Sequence, residues 1–372
     1  MSETPFRDCL GGPGTPVPQP FLNNGTGHYD GGDTHNYNFI TGNVPCYDFN
    51  DPVALNLIKE QVPVILKGAD LVSSAMKWDL DYLSTHIGGG RFAVFIRNAE
   101  ADRHALVQPQ SSSNPQSQSV QPEPLHIFKY FDEKKLVALQ DRSTFQSTMV
   151  RVEMTFQEFL KRFHGDRSQE RVYLQQPLNN TVGPQIASDF IQFNWSWAAE
   201  HKREFNWGPL TSNLLLIGQK GNITPCHFDE QQNLFCPLRG RKRILLFNPE
   251  NFPYLYPYPV HHPNDRQSQV NLDNPDYGRF PKFAMARGVQ ATVGPGEILY
   301  IPIHWWHHVI NLDDTIAINF WHKGGGSAPV EYPLQARQKI AMVRNIEKML
   351  LEALQDQNEL KELLHWIVDG RY

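Results

Sequence analysis

The run Thr224-Pro225-Cys226-His227-Phe228-Asp229 sets an imidazole and a carboxylate two residues apart. On a β-strand, side chains at i and i+2 leave the same face, so His227 and Asp229 can both reach one metal ion. A second histidine would give two neutral nitrogens and one anionic oxygen on one face of an octahedron. Three positions then stay open for cosubstrate and oxygen, as in non-haem Fe(II) oxygenases. Downstream, after the turn GPGE and the strand-like ILYIPI, comes His304-Trp305-Trp306-His307-His308, and one of its histidines can complete the set. Two other readings stand beside this one. His304 and His308 have the i, i+4 spacing of a zinc pair, although no HExxH glutamate accompanies them and the flanks are strand-like. Alternatively, the whole run is packed aromatic surface. The H-x-D spacing alone is weak, since 15 histidines yield about one chance copy. His28-Tyr29-Asp30 is such a copy, set among glycines with no strand pattern to hold both side chains on one face.

A strand-borne site needs strands around it, and the second half of the chain supplies them. From Arg171 onward, RVYLQQ, NLLLIG, RILLFNP, ATVGPGEILYIPI and TIAINFW are punctuated by GQKGN, NPENFP and GPGE. The helical patch IASDFIQFNWSWAAEH interrupts without alternating regularly with strands, which argues against βαβ units. Many short strands with Gly/Pro turns predict a mainly β fold, a closed or double-sheet barrel. Upstream, Asp51–Glu60 reads as a helix, QVPVILKG as a buried strand, MKWDLDYLSTHIGGG as a helix ending at glycines, and RFAVFI as a strand. Residues 1–37, rich in Gly, Pro, Asn and Thr, read as a flexible tail. VQPQSSSNPQSQSVQPEP cannot pack a core; flanked by strand-like segments, it reads as a loop insertion at about 101–125 rather than a domain linker. At the other end, Leu334, Ile340, Val343, Ile346, Leu350 and Leu354, then Leu360, Leu363, Leu364 and Ile367, form two amphipathic stripes. The two helices either cover their own barrel or protrude and dimerise.

Composition narrows the classes. A chain of 372 residues suggests two or three domains unless one large β-rich domain absorbs most of it. With 40% hydrophobic and 12% aromatic residues it holds ample core material and is not mainly disordered. A net charge of −5 weighs against generic nucleic-acid binding. No apolar run approaches membrane-spanning length, and the first residues carry no apolar signal core. Cys9, Cys46, Cys226 and Cys236 form no CxxC pair, as expected of reduced thiols in a cytoplasmic or nuclear protein.

The motifs NITPCHFDEQQNLF, RKRILLFNP, LYPYPVHHPNDRQSQV, NPDYGRFP, GPGEILYIPIHWWHH and NFW carry a resemblance as well. Over roughly residues 37–372, apart from the Ser/Gln/Pro insertion, the chain resembles the JmjC branch of the cupin-fold 2-oxoglutarate oxygenases. Within that branch it is most similar to asparaginyl hydroxylases of the factor-inhibiting-hypoxia-inducible-factor type. The resemblance implies a double-stranded β-helix core with C-terminal helices, Fe(II) held by His227, Asp229 and His307, and 2-oxoglutarate and O2 as cosubstrates. Lys242 matches the cation on the distal carboxylate of 2-oxoglutarate, with Tyr173 and Thr224 as hydroxyl donors. Asn233 and Asn319 match amides near its chelating end, and Leu216 and Trp321 match pocket walls. Arg266 and Gln267 match residues that hold a target asparagine amide, and Tyr130 one that contacts the substrate backbone. Without the resemblance, Lys242 in RGRKR could belong to a basic targeting patch, Arg266 and Gln267 would be loop surface, and Leu216, Trp321 and Tyr173 would be core. The amino-terminal tail, the insertion and a short His307-to-Asn319 segment depart from the family pattern.

The organisation implied is a tail over 1–37, a catalytic domain over 38–332 and a helical dimerisation segment over 333–372. The implied activity is β-hydroxylation of asparagine in the transactivation region of a hypoxia-inducible factor and in ankyrin-repeat proteins, as a homodimer. A JmjC lysine demethylase and a non-catalytic cupin-fold binding module are the alternatives. The NDRQSQV match favours an amide over a methyl-lysine, and filled positions 227, 229, 242 and 307 favour catalysis over mere binding.

Overall fold

Strands rich in branched apolar residues on both faces are buried on both sides, and two such sheets organise the chain. The computed structural model describes residues 35–99, 124–138, 145, 147, 149–325 and 332–368. One sheet holds β1 (Ile40–Asn43), β8 (Ile223–Phe228), β10 (Lys242–Phe247), β11 (Gly288–Val293) and β13 (Trp306–Asn311). The other holds β2 (Cys46–Asp48), β3 (Val64–Lys67), β4 (Phe92–Asn98), β5 (Met149–Met154), β6 (Glu170–Pro177), β7 (Leu210–Gly218), β9 (Gln231–Arg239), β12 (Glu297–Ile301) and β14 (Thr315–Lys323). Their spatial orders are β1-β11-β10-β13-β8 and β2-β3-β12-β9-β14-β7-β6-β4-β5. Strands β7 to β14 wind between the two sheets with β14 beside β7 and β13 beside β8, which is a double-stranded β-helix.

Burial follows this layering. Tyr173, Leu216, Phe235, Ile244, Leu246, Val289 and Leu299 meet between the sheets. The period of two then sends Leu245 and Phe247 to the opposite side of β10, against Phe39, Phe283 and Ile340. A third cluster lies on the outer face of the larger sheet, built from Val94, Leu174, Ile217 and Ile318 with Trp78, Phe159, Phe163 and Trp197. The helices that clad it are α1 (Pro52–Lys59), α2 (Leu80–His86), α4 (Phe156–Phe163), α5 (Pro184–Ile191) and α6 (Trp195–Glu204), with the short α3 (Glu133–Ala138) elsewhere. Their starts are coded locally. Asp51 accepts from Val53 N–H ahead of a proline at the start of α1. Thr155 and Glu158 form a reciprocal capping box on α4, worth about 1 kcal/mol.

Several boundaries differ from those the sequence suggests. Residues 35–37 belong to the folded body, not to a tail: Tyr37 is buried, donates to Asp273 Oδ1 at 2.6 Å and lies under the Arg243 guanidinium. The helix expected over 76–90 begins only at Leu80, because Asp79 caps it and Trp78 turns into the core to donate to Asp189 at 2.9 Å. The patch at 186–201 is two helices, broken where Asn194 caps the second by accepting from Trp197 N–H. LHIFKYF forms no regular strand; it joins β8 through Phe128 N–H to Ile223 O and Ile223 N–H to His126 O, both 2.8 Å. Residues 1–34 and 100–123 lie outside the described residues, and with them His28-Tyr29-Asp30, Cys9 and nearly all of the expected tail and insertion.

The carboxyl end forms the expected pair, α7 (Ala336–Leu354) and α8 (Gln357–Val368). The stripes are covered only in part by the barrel. Ile340 and Leu360 are buried, but Val343 and Ile346 from the same stripe are 53% and 45% exposed. Among the described residues no helix is long and apolar enough to cross a membrane.

Candidate metal centre

Strand pairing assembles the donors. In the antiparallel pair β8–β13, His227 stands directly opposite His307, and their ring centroids are 4.1 Å apart. Asp229 follows at the end of β8, two residues from His227, while Phe228 between them packs against the opposite cluster. One donor atom from each of His227, Asp229 and His307 lies within 4.8 Å of the others, the one such cluster among the described residues. His308, next on β13, points the other way, its Nε2 3.8 Å from Asp273. His304 sits in a turn with φ 65°, its ring 5.8 Å from that of Phe228. The i, i+4 zinc pair therefore does not form.

The surroundings fix how these groups present themselves. His227 Nδ1 lies 2.8 Å from Pro225 O and His307 Nδ1 lies 3.0 Å from Trp305 O. A carbonyl can only accept, so each Nδ1 carries the proton and each Nε2 keeps its lone pair for a metal. Burial, then the neighbouring His307, pushes the His227 pKa down to about 3, which keeps the imidazole neutral. Burial alone would raise the Asp229 carboxyl, but His307, His227, Arg266 and the Trp321 indole hold it below the usual carboxylate range. Trp321 Nε1 donates to Asp229 Oδ2 at 3.0 Å, and Arg266 Nη1 stands 3.6 Å from Oδ1. Two neutral nitrogens and one carboxylate oxygen suit Fe(II) with open positions.

Lys242 belongs to the same cavity. The residue is 1% exposed, has no carboxylate partner among the described residues, and donates from Nζ to Tyr173 Oη at 3.0 Å. The rings of Phe235 and Tyr173 lie 5.2 and 5.3 Å from Nζ. A buried cation with one hydroxyl and two ring faces is poorly compensated, and an anion would complete it. Asn233 Oδ1 and Asn319 Oδ1 are also buried without a hydrogen-bond partner. Metal donors and a buried ammonium around one cavity fit a small carboxylate that also chelates a metal. Gly218 lies opposite Tyr173 in the β6–β7 ladder; a Cβ there would sit 2.5 Å from Asn311 Nδ2 and 3.0 Å from the Tyr173 ring.

All the site residues that the family resemblance implies gather here. Tyr130, Leu216 and Thr224 line the metal cavity, and Trp321 closes over Asp229. Arg266 and Gln267 line an adjoining pocket that shares Tyr130, Thr224, His227 and Asp229 with it. Arg266 holds φ 67°, and its carbonyl accepts from Phe228 N–H at 3.0 Å. That left-handed backbone is costly for a non-glycine residue, so the loop that aims Arg266 is well determined. Gln267 Nε2 donates to the Tyr130 carbonyl, which leaves its Oε1 for a ligand. Sequence reasoning missed Gln175, which lines the cavity and donates to Tyr130 Oη. The alternation in RVYLQQ carries that signal, because Gln175 is two residues from Tyr173 on one face of β6.

A double-stranded β-helix with a His-x-Asp…His cluster between its sheets defines a cupin, and comparison agrees. The family model described as a cupin-like domain matches residues 52–326, so the chain belongs to the cupin-like domain family. HSPB1-associated protein 1 of Rattus norvegicus is 46% identical over 112 residues, covering 29% of this chain and 23% of that protein. The chain thus spans under a quarter of that relative's length. Lysine-specific demethylase 8 of Xenopus tropicalis is 29% identical over 171 residues, covering 45% of this chain and 37% of that one. tRNA wybutosine-synthesizing protein 5 of Gallus gallus is 26% identical over 265 residues, 70% of each chain. Similarity to JmjC domain-containing protein D of Dictyostelium discoideum, 38% over 102 residues, fits the JmjC type of cupin. None of these four is named as an asparaginyl hydroxylase.

Proposed function

We propose that this chain is an Fe(II)- and 2-oxoglutarate-dependent oxygenase that hydroxylates the β-carbon of asparagine in a protein substrate. One observation carries the reading: the cluster of His227, Asp229 and His307 shares a cavity with the buried, carboxylate-free Lys242. Bound Fe(II) would supply oxygen activation coupled to conversion of 2-oxoglutarate to succinate and CO2, with the second oxygen atom going to the substrate. The chain's own contribution is placement. Lys242 and Tyr173 would hold the distal carboxylate, with Thr224 beside them. Asn233 and Asn319 would flank the chelating end, and Leu216 and Trp321 would keep bulk water out. In the adjoining pocket, Arg266 and the free oxygen of Gln267 offer a cation and an acceptor to a primary amide, and Tyr130 closes the side.

Candidate substrates are the transactivation region of a hypoxia-inducible factor and ankyrin-repeat proteins. The second reading, demethylation of methyl-lysine, is supported by the similarity to a protein named lysine-specific demethylase 8. Mass spectrometry separates them. Purified protein with Fe(II) and 2-oxoglutarate is offered a transactivation-region peptide, an ankyrin-repeat peptide and a methyl-lysine histone peptide. Gain of one oxygen on asparagine is expected. Methyl loss from the histone peptide alone would replace the amide reading with the demethylase.

The reading includes a homodimer through the C-terminal helices. Met342, Val343, Ile346 and Met349 are each between 45% and 59% exposed along one helix, a stripe a second copy would cover. Ile346→Glu with Met349→Glu should halve the molar mass measured by light scattering. A wild-type protein that is monomeric at tens of micromolar would end this part of the reading.

A further inference from the structure

Helix α7 is anchored by a charge. Of its 19 residues only Ile340 and Arg344 are buried, and Arg344 is 4% exposed. Its guanidinium lies over the Phe228 ring, 5.4 Å from the centroid. Nε donates to Glu230 Oε1 at 3.0 Å, while Nη1 and Nη2 grip both oxygens of Asp265 at 2.6 and 3.0 Å. Those three partners are informative by position. Phe228 and Glu230 flank the carboxylate ligand Asp229, and Asp265 immediately precedes Arg266, whose guanidinium faces Asp229. The two segments are laced together by Phe228 N–H to Arg266 O at 3.0 Å and Ser268 N–H to Cys226 O at 2.8 Å. The same helix holds the start of the loop, since Glu347 accepts from Val260 N–H at 2.8 Å.

We propose that Arg344 is a positioning residue for the metal centre: its fork locks the end of β8 to the 264–268 loop and so fixes Asp229 against Arg266. The inference rests on the metal-centre reading above. Lys135 also reaches Asp265, at 2.7 Å, but as a point charge it cannot tie Asp265 to Glu230. Apolar packing of α7 on the barrel would need Ile340 alone and would not need a planar five-donor group at this spot.

The full chain is the object to test, as Arg344→Met and Arg344→Lys, by amide exchange and by titration with Co(II) alone. In Arg344→Met the Phe228 and Ser268 amides should lose at least about tenfold in protection, while those of β10 keep theirs. Co(II) should bind about tenfold more weakly, with a displaced d–d absorption band, as when a supporting contact of a ligand is removed. Arg344→Lys retains the charge without the fork and should show the same changes in smaller degree, so it decides the matter if Arg344→Met loses protection throughout. Wild-type-like exchange at Phe228 and Ser268, with an unchanged Co(II) spectrum, would overturn the positioning role. If the unsubstituted protein itself takes up no Co(II), the metal reading fails first and the positioning role goes with it.

Discussion

Replacing Asp229 by alanine is expected to abolish turnover and to weaken divalent metal binding by more than about 100-fold, beyond what loss of a supporting contact does. The carboxylate is the one anionic donor in the cluster, and it already draws the Trp321 indole and the Arg266 guanidinium toward itself. Without it, His227 and His307 still face each other, but two neutral imidazoles cannot offset the charge of a divalent cation in a buried cavity. Isothermal titration with Co(II) and a 2-oxoglutarate turnover assay measure the two effects separately. Retained metal affinity in Asp229→Ala would remove Asp229 from the ligand set.

Lys242→Met should split function from stability. The ammonium is buried with one hydroxyl partner, so the ligand-free protein carries a charge that nothing fully offsets. Exchange for a side chain of similar length and no charge should stabilise the ligand-free protein by about 1–3 kcal/mol, visible as a raised Tm. Affinity for 2-oxoglutarate should fall by roughly 30-fold or more, corresponding to about 2–5 kcal/mol for removing one partner of a buried charge pair. Added 2-oxoglutarate would then no longer raise the variant's Tm, as it should for the wild type. A destabilised variant that still binds 2-oxoglutarate would mean that Lys242 is a structural cation.

The chemistry was legible wherever a local period carries it. Two residues on one strand face share a side, so His227 with Asp229, and Lys242 with the inward Ile244 and Leu246, follow from the order of residues alone. Spacing could not choose among His304, His307 and His308. That choice is made by the register of β13 on β8, a pairing of segments about eighty residues apart. The C-terminal stripe shows which residues share a helix face but not what covers them: Val343 and Ile346 are exposed, whereas acidic partners at Glu230 and Asp265 draw Arg344 inward. Similarly, MKWD looks helical until Trp78 finds its acceptor on Asp189, over a hundred residues away.

The three apolar clusters have a bearing on how such a fold can diversify. Most of the large aromatic packing lies on the outer faces of the sheets, where Trp78, Phe159, Phe163, Phe247 and Phe283 are buried. The inner face therefore does not have to supply the whole of the folding free energy. It can carry a lysine, two asparagines and two histidines where a closed barrel would carry leucines. Side chains on that inner face can be exchanged to suit a new ligand while the cladding keeps the chain folded, a reserve of tolerance located away from the chemistry it permits.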